Sequence, residues 1–145
     1  MFYSINRRLM TNPGLQLINL RTSEVVVRSL TVADSFWTRF SGLQLRQSLE
    51  PGAGMILVPC RGVHTFFMRF PLDLVMLSVH GTVVGIAKNI TPWKTLAADS
   101  QTHAVLEVMG GSLGPVLLGD RIALRQAEGA SSVRVPRSLT FLSNP

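Results

Sequence analysis

Short apolar and β-branched runs, each closed by a glycine, a proline or a polar break, make up most of the chain. Residues 15–20 and 24–30 are the first two, and Arg21-Thr22-Ser23 joins them in the manner of a hairpin. Thr31 or Asp34 can cap a helix of about three turns through Phe36, Trp37 and Phe40, with Gly42 as its stop. After the Pro51-Gly52 loop the chain reads as strand after strand. Residues 55–58, 63–68, 74–79, 82–87 and 103–109 are rich in strand formers. His80-Gly81 reads as a two-residue hairpin turn, residues 91–101 as an irregular loop, and residues 110–119 as a long Gly-rich connection. Residues 121–125 alternate, with Ile122 and Leu124 on one face, and Val133 and Val135 repeat that alternation before Pro136, as an edge strand does. The run 74–79 is apolar on both faces, so it is read as a central strand covered on both sides.

This pattern predicts a mostly β, single-domain antiparallel β-sandwich or partly open barrel with one short N-terminal helix. The boundaries read as an N-terminal arm over 1–12, a β domain over 13–127 and a C-terminal extension over 128–145 whose last residues fray. With 145 residues, a single domain can bury a sufficient core without metal or disulfides. The one cysteine, Cys60, excludes an internal disulfide framework. At 46% hydrophobic and 15% charged residues, the chain is too apolar for a disordered protein. The charge-free stretch 74–87 is shorter than the roughly 20 apolar residues of a membrane span. No apolar leader run follows Arg7-Arg8, so a cytoplasmic location is the default expectation.

The net charge is +6, and all but two of the 14 basic residues are arginine. The arginines are scattered, which disfavours a dedicated nucleic-acid face. The nearest approach to a cluster is Arg121, Arg125, Arg134 and Arg137, opposed between those positions only by Glu128. Aromatics interleaved with arginine, as single-strand binders use them, occur only as Phe67 between Thr65 and Arg69.

Residues 52–81 carry the densest signature. Gly54-Met55 enters a strand, the element from His64 to Arg69 follows, and Pro71-Leu72-Asp73 opens the next strand. Ser41-Gly42-Leu43, Leu106-Glu107-Val108 with Gly110-Gly111, and Gly119-Asp120 complete the order. In this the chain resembles the family called domain of unknown function 192, over roughly residues 13–126. The resemblance implies a compact, barrel-like β-sandwich and carries no established activity. The Gly-rich stretch 110–118 and the tail after Gln126 depart from the family's pattern.

Four groups of residues have candidate chemistry. Cys60, His64 and Met68 are soft ligands at a spacing of four. In an extended strand that spacing is about 13 Å, too far for one ion, so no metal or other cofactor is expected. Arg69 and Asp73 form either a wall for an anionic ligand or, as the preferred reading, an ion pair at a strand corner. Glu107 lies in an apolar strand and needs a partner if buried, for which His103 and Lys94 are the candidates. Asp120 after Gly119 suits a turn. The reading that follows is a non-enzymatic domain that binds a small anionic ligand or a protein partner. Its expected polar pocket comprises Arg61, His64, Thr65, Met68, Arg69, Asp73, Glu107, Gly110 and Gly111. The alternatives are a small hydrolase or isomerase using His64 with Glu107 or Asp73, and polyanion binding through the C-terminal arginines.

Overall fold

The computed structural model describes residues 11–35 and 48–143. The expected helix over residues 34–42 and the Ser41-Gly42-Leu43 element fall outside or largely outside these residues. The strands are β1 Thr11–Asn12, β2 Leu15–Asn19, β3 Val25–Val27, β4 Ser29–Ala33, β5 Ala53–Leu57, β6 Gly62–His64, β7 Leu72–Leu77, β8 Val83–Ile90, β9 Thr95–Ala97, β10 Ala104–Met109 and β11 Ile122–Gln126. A 3-10 helix, Arg137–Leu142, follows. A six-stranded sheet runs β1-β4-β5-β10-β7-β8, a three-stranded sheet β11-β2-β3, and β6 pairs with β9 alone. The protein is thus mostly β and a single small domain, and its sheets do not close into a barrel. Among the named pairs β4–β5 is parallel and the rest are antiparallel.

Strand alternation sends two sets of side chains to opposite faces of the large sheet. Leu30, Val32, Ile56, Val75, Leu77, Leu106 and Val108 meet Leu15, Leu17 and Val27 of the small sheet to form one core. Met55, Leu57, Leu74, Met76 and Val105 face the other way and pack with Val63, Met68 and Phe70. Every residue of β7 is buried, as expected of a strand covered on both faces. Gly54 is required by the first core: a Cβ there would lie 2.8 Å from Val27 Cγ2.

Several expected elements differ. The run 24–30 is two strands in two sheets, because Arg28 and Ser29 both turn their N–H groups to Gly52 O (2.7 and 3.3 Å) and the chain bends there. The strand expected over 63–68 stops at His64. A turn follows, with Met68 N–H donating to Thr65 O (3.2 Å) and Phe67 in the left-handed region at φ 61°. The His80-Gly81 connection is longer than two residues: Gly81, at φ 74°, closes a turn by donating to Ser78 O (3.0 Å). Residues 91–101 contain β9, which β6 recruits as its partner. Val133 and Val135 form no strand; they pack as half-buried residues on the first core. The tail does not fray over its 3-10 helix, since Leu139 and Leu142 are buried in that core.

Candidate functional site

The site is built from two loops at one end of β7 and β8. Thr65 holds them together. Its hydroxyl donates to Thr91 O (2.7 Å) and accepts from Lys94 N–H (2.9 Å), while its carbonyl accepts from Trp93 N–H (3.0 Å) and its own N–H donates to Lys94 O (2.8 Å). The side chain is buried where the two loops meet. Around it the aromatic side chains point outward. Phe66 is 38%, Phe67 53% and Trp93 60% exposed. Ring centroids are 5.2 Å apart for His64–Phe66, 5.8 Å for Phe66–Trp93 and 4.9 Å for Phe67–Trp93, and every pair is tilted. Phe67 and Trp93 both sit on left-handed backbone, at φ 61° and 66°, which bulky residues seldom adopt. Arg61, Arg69, Lys88 and Lys94 are exposed on the same stretch of chain. Its one acid between residues 61 and 98, Asp73, is buried.

Asp73 is not the ion-pair partner of Arg69. It lies opposite an irregularity in β8, where Leu72 pairs with Ile90 and Leu74 with Ala87. The irregularity frees the N–H of Asn89, which donates to Asp73 Oδ1 (2.8 Å); Gly111 and Leu113 N–H groups donate to Oδ2 (3.0 and 3.2 Å). Gly110 N–H donates to Pro71 O (2.9 Å). The Pro71-Leu72-Asp73 and Gly110-Gly111 elements therefore come together, as a corner closed by backbone bonds. Asp73 accepts three backbone N–H bonds there.

Glu107 is 4% exposed in the middle of the large sheet. Its register places Thr31, Met55, Leu74 and Ala87 in one row with it. Neither His103 nor Lys94 partners it: the His103 ring packs edge-on to Phe141 (5.0 Å) and Lys94 is exposed. Burial without a compensating charge pushes the Glu107 carboxyl up to about 8. Its side chain and that of Asp73 leave opposite faces of the sheet, because Glu107 pairs with Leu74 and Asp73 with Val108. His64 belongs to a different sheet. The three groups proposed for acid–base work are not assembled, and the expected pocket is divided among the aromatic corner, the Asp73 corner and the buried Glu107.

Two of the soft-ligand trio are engaged in local packing and hydrogen bonding. Cys60 Sγ donates to Gly62 O (3.0 Å), and Met68 is buried among apolar side chains. Among the described residues no group of three or more His, Cys, Asp or Glu side chains is placed to hold a metal ion. Asp120 does more than shape a turn. It accepts from Asn19 Nδ2 (2.7 Å), Leu117 N–H (2.9 Å) and Arg21 Nε and Nη2 (2.6 and 3.0 Å), and the Arg21 guanidinium holds its carboxyl well below the usual range. Of the C-terminal arginines, Arg121 donates to His80 O (3.3 Å) and Arg125 to Gln16 Oε1 (2.9 Å), while Arg134 and Arg137 are exposed.

Phe66, Phe67, Trp93 and Lys94 were not among the residues expected to line the pocket. Adjacent Phe66 and Phe67 are the signal that could have found them. Two bulky aromatics in succession cannot both enter one core from an extended strand, and Trp93 after a proline in a loop has no strand to bury it.

Fold and site together define a small β-sandwich domain with an exposed aromatic corner. The chain belongs to the DUF192 family, described as "Uncharacterized ACR", whose model matches residues 18–124. No curated protein matches it. A solved structure of a protein of unknown function from Novosphingobium aromaticivorans DSM 12444 is similar, at 27% identity and a TM-score of 0.68, over 81% of this chain and 88% of that one. A second, from Sinorhizobium meliloti 1021 and described as a candidate transcription regulator, is 26% identical with a TM-score of 0.62, over 74% of this chain and 89% of that one. No helix among the described residues is long and apolar enough to cross a membrane.

Proposed function

We propose that the protein is a non-enzymatic binding module, and that its site is the corner formed by His64, Phe66, Phe67, Arg69, Trp93 and Lys94. One observation carries this reading: two large aromatics are more than half exposed on strained, left-handed backbone while four backbone and side-chain bonds of Thr65 hold them there. Exposed aromatic surface in contact with itself marks interaction sites, and a strained backbone persists only where surrounding structure fixes it. Fixing the rings in advance lowers the ordering cost of binding. The cations beside the rings select for negative charge and the rings for a flat or apolar moiety, so the ligand is an anion bearing a ring. Of the residues expected to line a pocket, Arg61, His64 and Arg69 stay in this reading as contacts, and Thr65 as a positioning residue.

The test is Trp93 emission in a Trp37→Phe background, where Trp93 is the sole indole. Titration with phenyl phosphate and adenosine monophosphate is expected to quench it at millimolar concentration, and inorganic phosphate to leave it unchanged. Phe67→Ala is expected to abolish the response. A Trp93 that responds to none of these, nor to any anionic polymer or vesicle, overturns the reading.

A further inference from the structure

The geometry points to single-stranded nucleic acid as the ligand of this corner. This inference rests on the binding reading above and names the class of ligand. The rings form a continuous row, His64–Phe66–Trp93–Phe67, with successive centroids 4.9–5.8 Å apart. None of the pairs is stacked face to face. The rings tilt by 31–59° to one another, and Phe67 and Trp93 have more than half of their surface in solvent. A repeated row of open rings suits a polymer of flat rings, whose successive members each stack on an aromatic side chain. A duplex keeps its bases stacked on each other and offers no free faces to this row.

Charge supports the same class. The exposed charged side chains between residues 61 and 98 are Arg61, Arg69, Lys88 and Lys94, all positive. Asp73 is withdrawn from the surface by its three N–H donors. Arg69 and Lys94, next to the rings in sequence, are therefore available to meet a phosphate backbone.

In this reading the corner's cations meet phosphate and its rings meet base faces, which leaves base edges largely unread. Its turn is His-Thr-Phe-Phe-Met-Arg and its loop Thr-Pro-Trp-Lys, and the one buried hydroxyl, that of Thr65, is occupied by Thr91 O and Lys94 N–H. Binding through stacking and phosphate contact alone is tolerant of sequence. The expected behaviour is a preference for single over double strands with little discrimination among bases.

The experiment is fluorescence anisotropy of labelled 12-nucleotide dT, dA and RNA U oligomers, and of the matching dA·dT duplex, with the full chain. The expected result is binding to all three single strands within a few-fold of each other and at least ten-fold weaker binding to the duplex. Trp93→Ala is expected to weaken single-strand binding by roughly ten-fold or more. If Arg61, Arg69 and Lys94 each meet a phosphate, the slope of log affinity against log salt is about −2, and Lys94→Ala makes it shallower by about 0.7. A thermal denaturation midpoint equal to that of the parent qualifies each variant. Phe67→Ala stands in for Trp93→Ala if the latter does not fold. Equal affinity for duplex and single strand, or single-strand affinity unchanged by both ring variants, overturns the inference. Absence of oligomer binding with a blue shift of Trp93 on phosphatidylglycerol vesicles also overturns it, and leaves the binding reading standing with a membrane surface as ligand. A Trp93 silent to oligomers, vesicles and ring-bearing anions overturns both.

Discussion

Glu107 is surrounded by the side chains of a sheet that has no use for its charge. Between Met55 and Leu74 it finds no cation among the described residues, and burial pushes its carboxyl up to about 8. In the unfolded chain the same group ionises near 4.5. Between those values the unfolded state holds fewer protons than the folded one, so stability falls as pH rises, by at most about 1.4 kcal/mol per unit, and levels off above pH 8. Glu107→Gln keeps the shape and removes the proton. Its unfolding free energy, from urea melts at pH 5, 7 and 9, is expected to lose most of this slope and to exceed the parent's at pH 9. Parallel curves for the two proteins would show that the group titrates normally. Asp73 makes the opposite case, a buried carboxylate satisfied by backbone. Asp73→Ala leaves the N–H groups of Asn89, Gly111 and Leu113 without their acceptor, and at roughly 1 kcal/mol or more for each the loss is expected to reach about 3 kcal/mol in the same melts. Asp73→Asn retains one acceptor oxygen and is expected to lose less.

At the scale of elements, apolar runs revealed themselves wherever one strand belongs to one sheet. Residues 15–20, 55–58, 74–79 and 103–109 each overlap an observed strand because alternation or double burial is written into their own residues. What stayed hidden depends on partners distant in sequence. The break at Arg28 is made by Gly52 O, and β9 is a strand because β6 lies beside it. The turn at 65–68 runs against β propensity, since Thr65 and two phenylalanines favour extended chain. The bonds of Thr65 to residues 91–94 outweigh that preference, and they also bring Trp93 to Phe67. The candidate site was therefore half legible: His64, Thr65 and Arg69 stood out by residue type, whereas Phe66 and Trp93 acquire meaning only when the loops meet. Thr65→Val keeps the branched shape and removes the hydroxyl. It is expected to speed amide hydrogen exchange at Trp93, Lys94 and Met68 while the amides of β10 stay protected. Uniform loss of protection across the sheet would show that Thr65 supports the fold at large rather than this corner.

For the whole molecule, the open question is what closes the first core, and the answer lies outside the family match, which ends at residue 124. Two sheets of six and three strands leave an end where β2, β11 and the start of β8 meet. The tail covers it. From β11 the chain passes Val133 and Val135, then turns into the 3-10 helix, whose Leu139 and Leu142 are buried with Leu15, Leu17 and Ile122. Leu142 reaches the turn that joins β7 to β8, since its Cδ2 lies 3.0 Å from where a Cβ on Gly81 would stand, and Phe141 packs on His103 just before β10. The extension thus bridges the two layers at this edge. Burial this complete makes a clear demand. Leu139→Ala should cost about 2–5 kcal/mol, as cavities under a fully enclosed leucine do. A tail that merely rests on the surface would cost under 0.5 kcal/mol for the same change. Urea denaturation distinguishes the two. Because Leu139 is far in sequence from the aromatic corner, its variant is also expected to bind single strands as the parent does under conditions where it remains folded, which separates the stability of the sandwich from the chemistry at its edge.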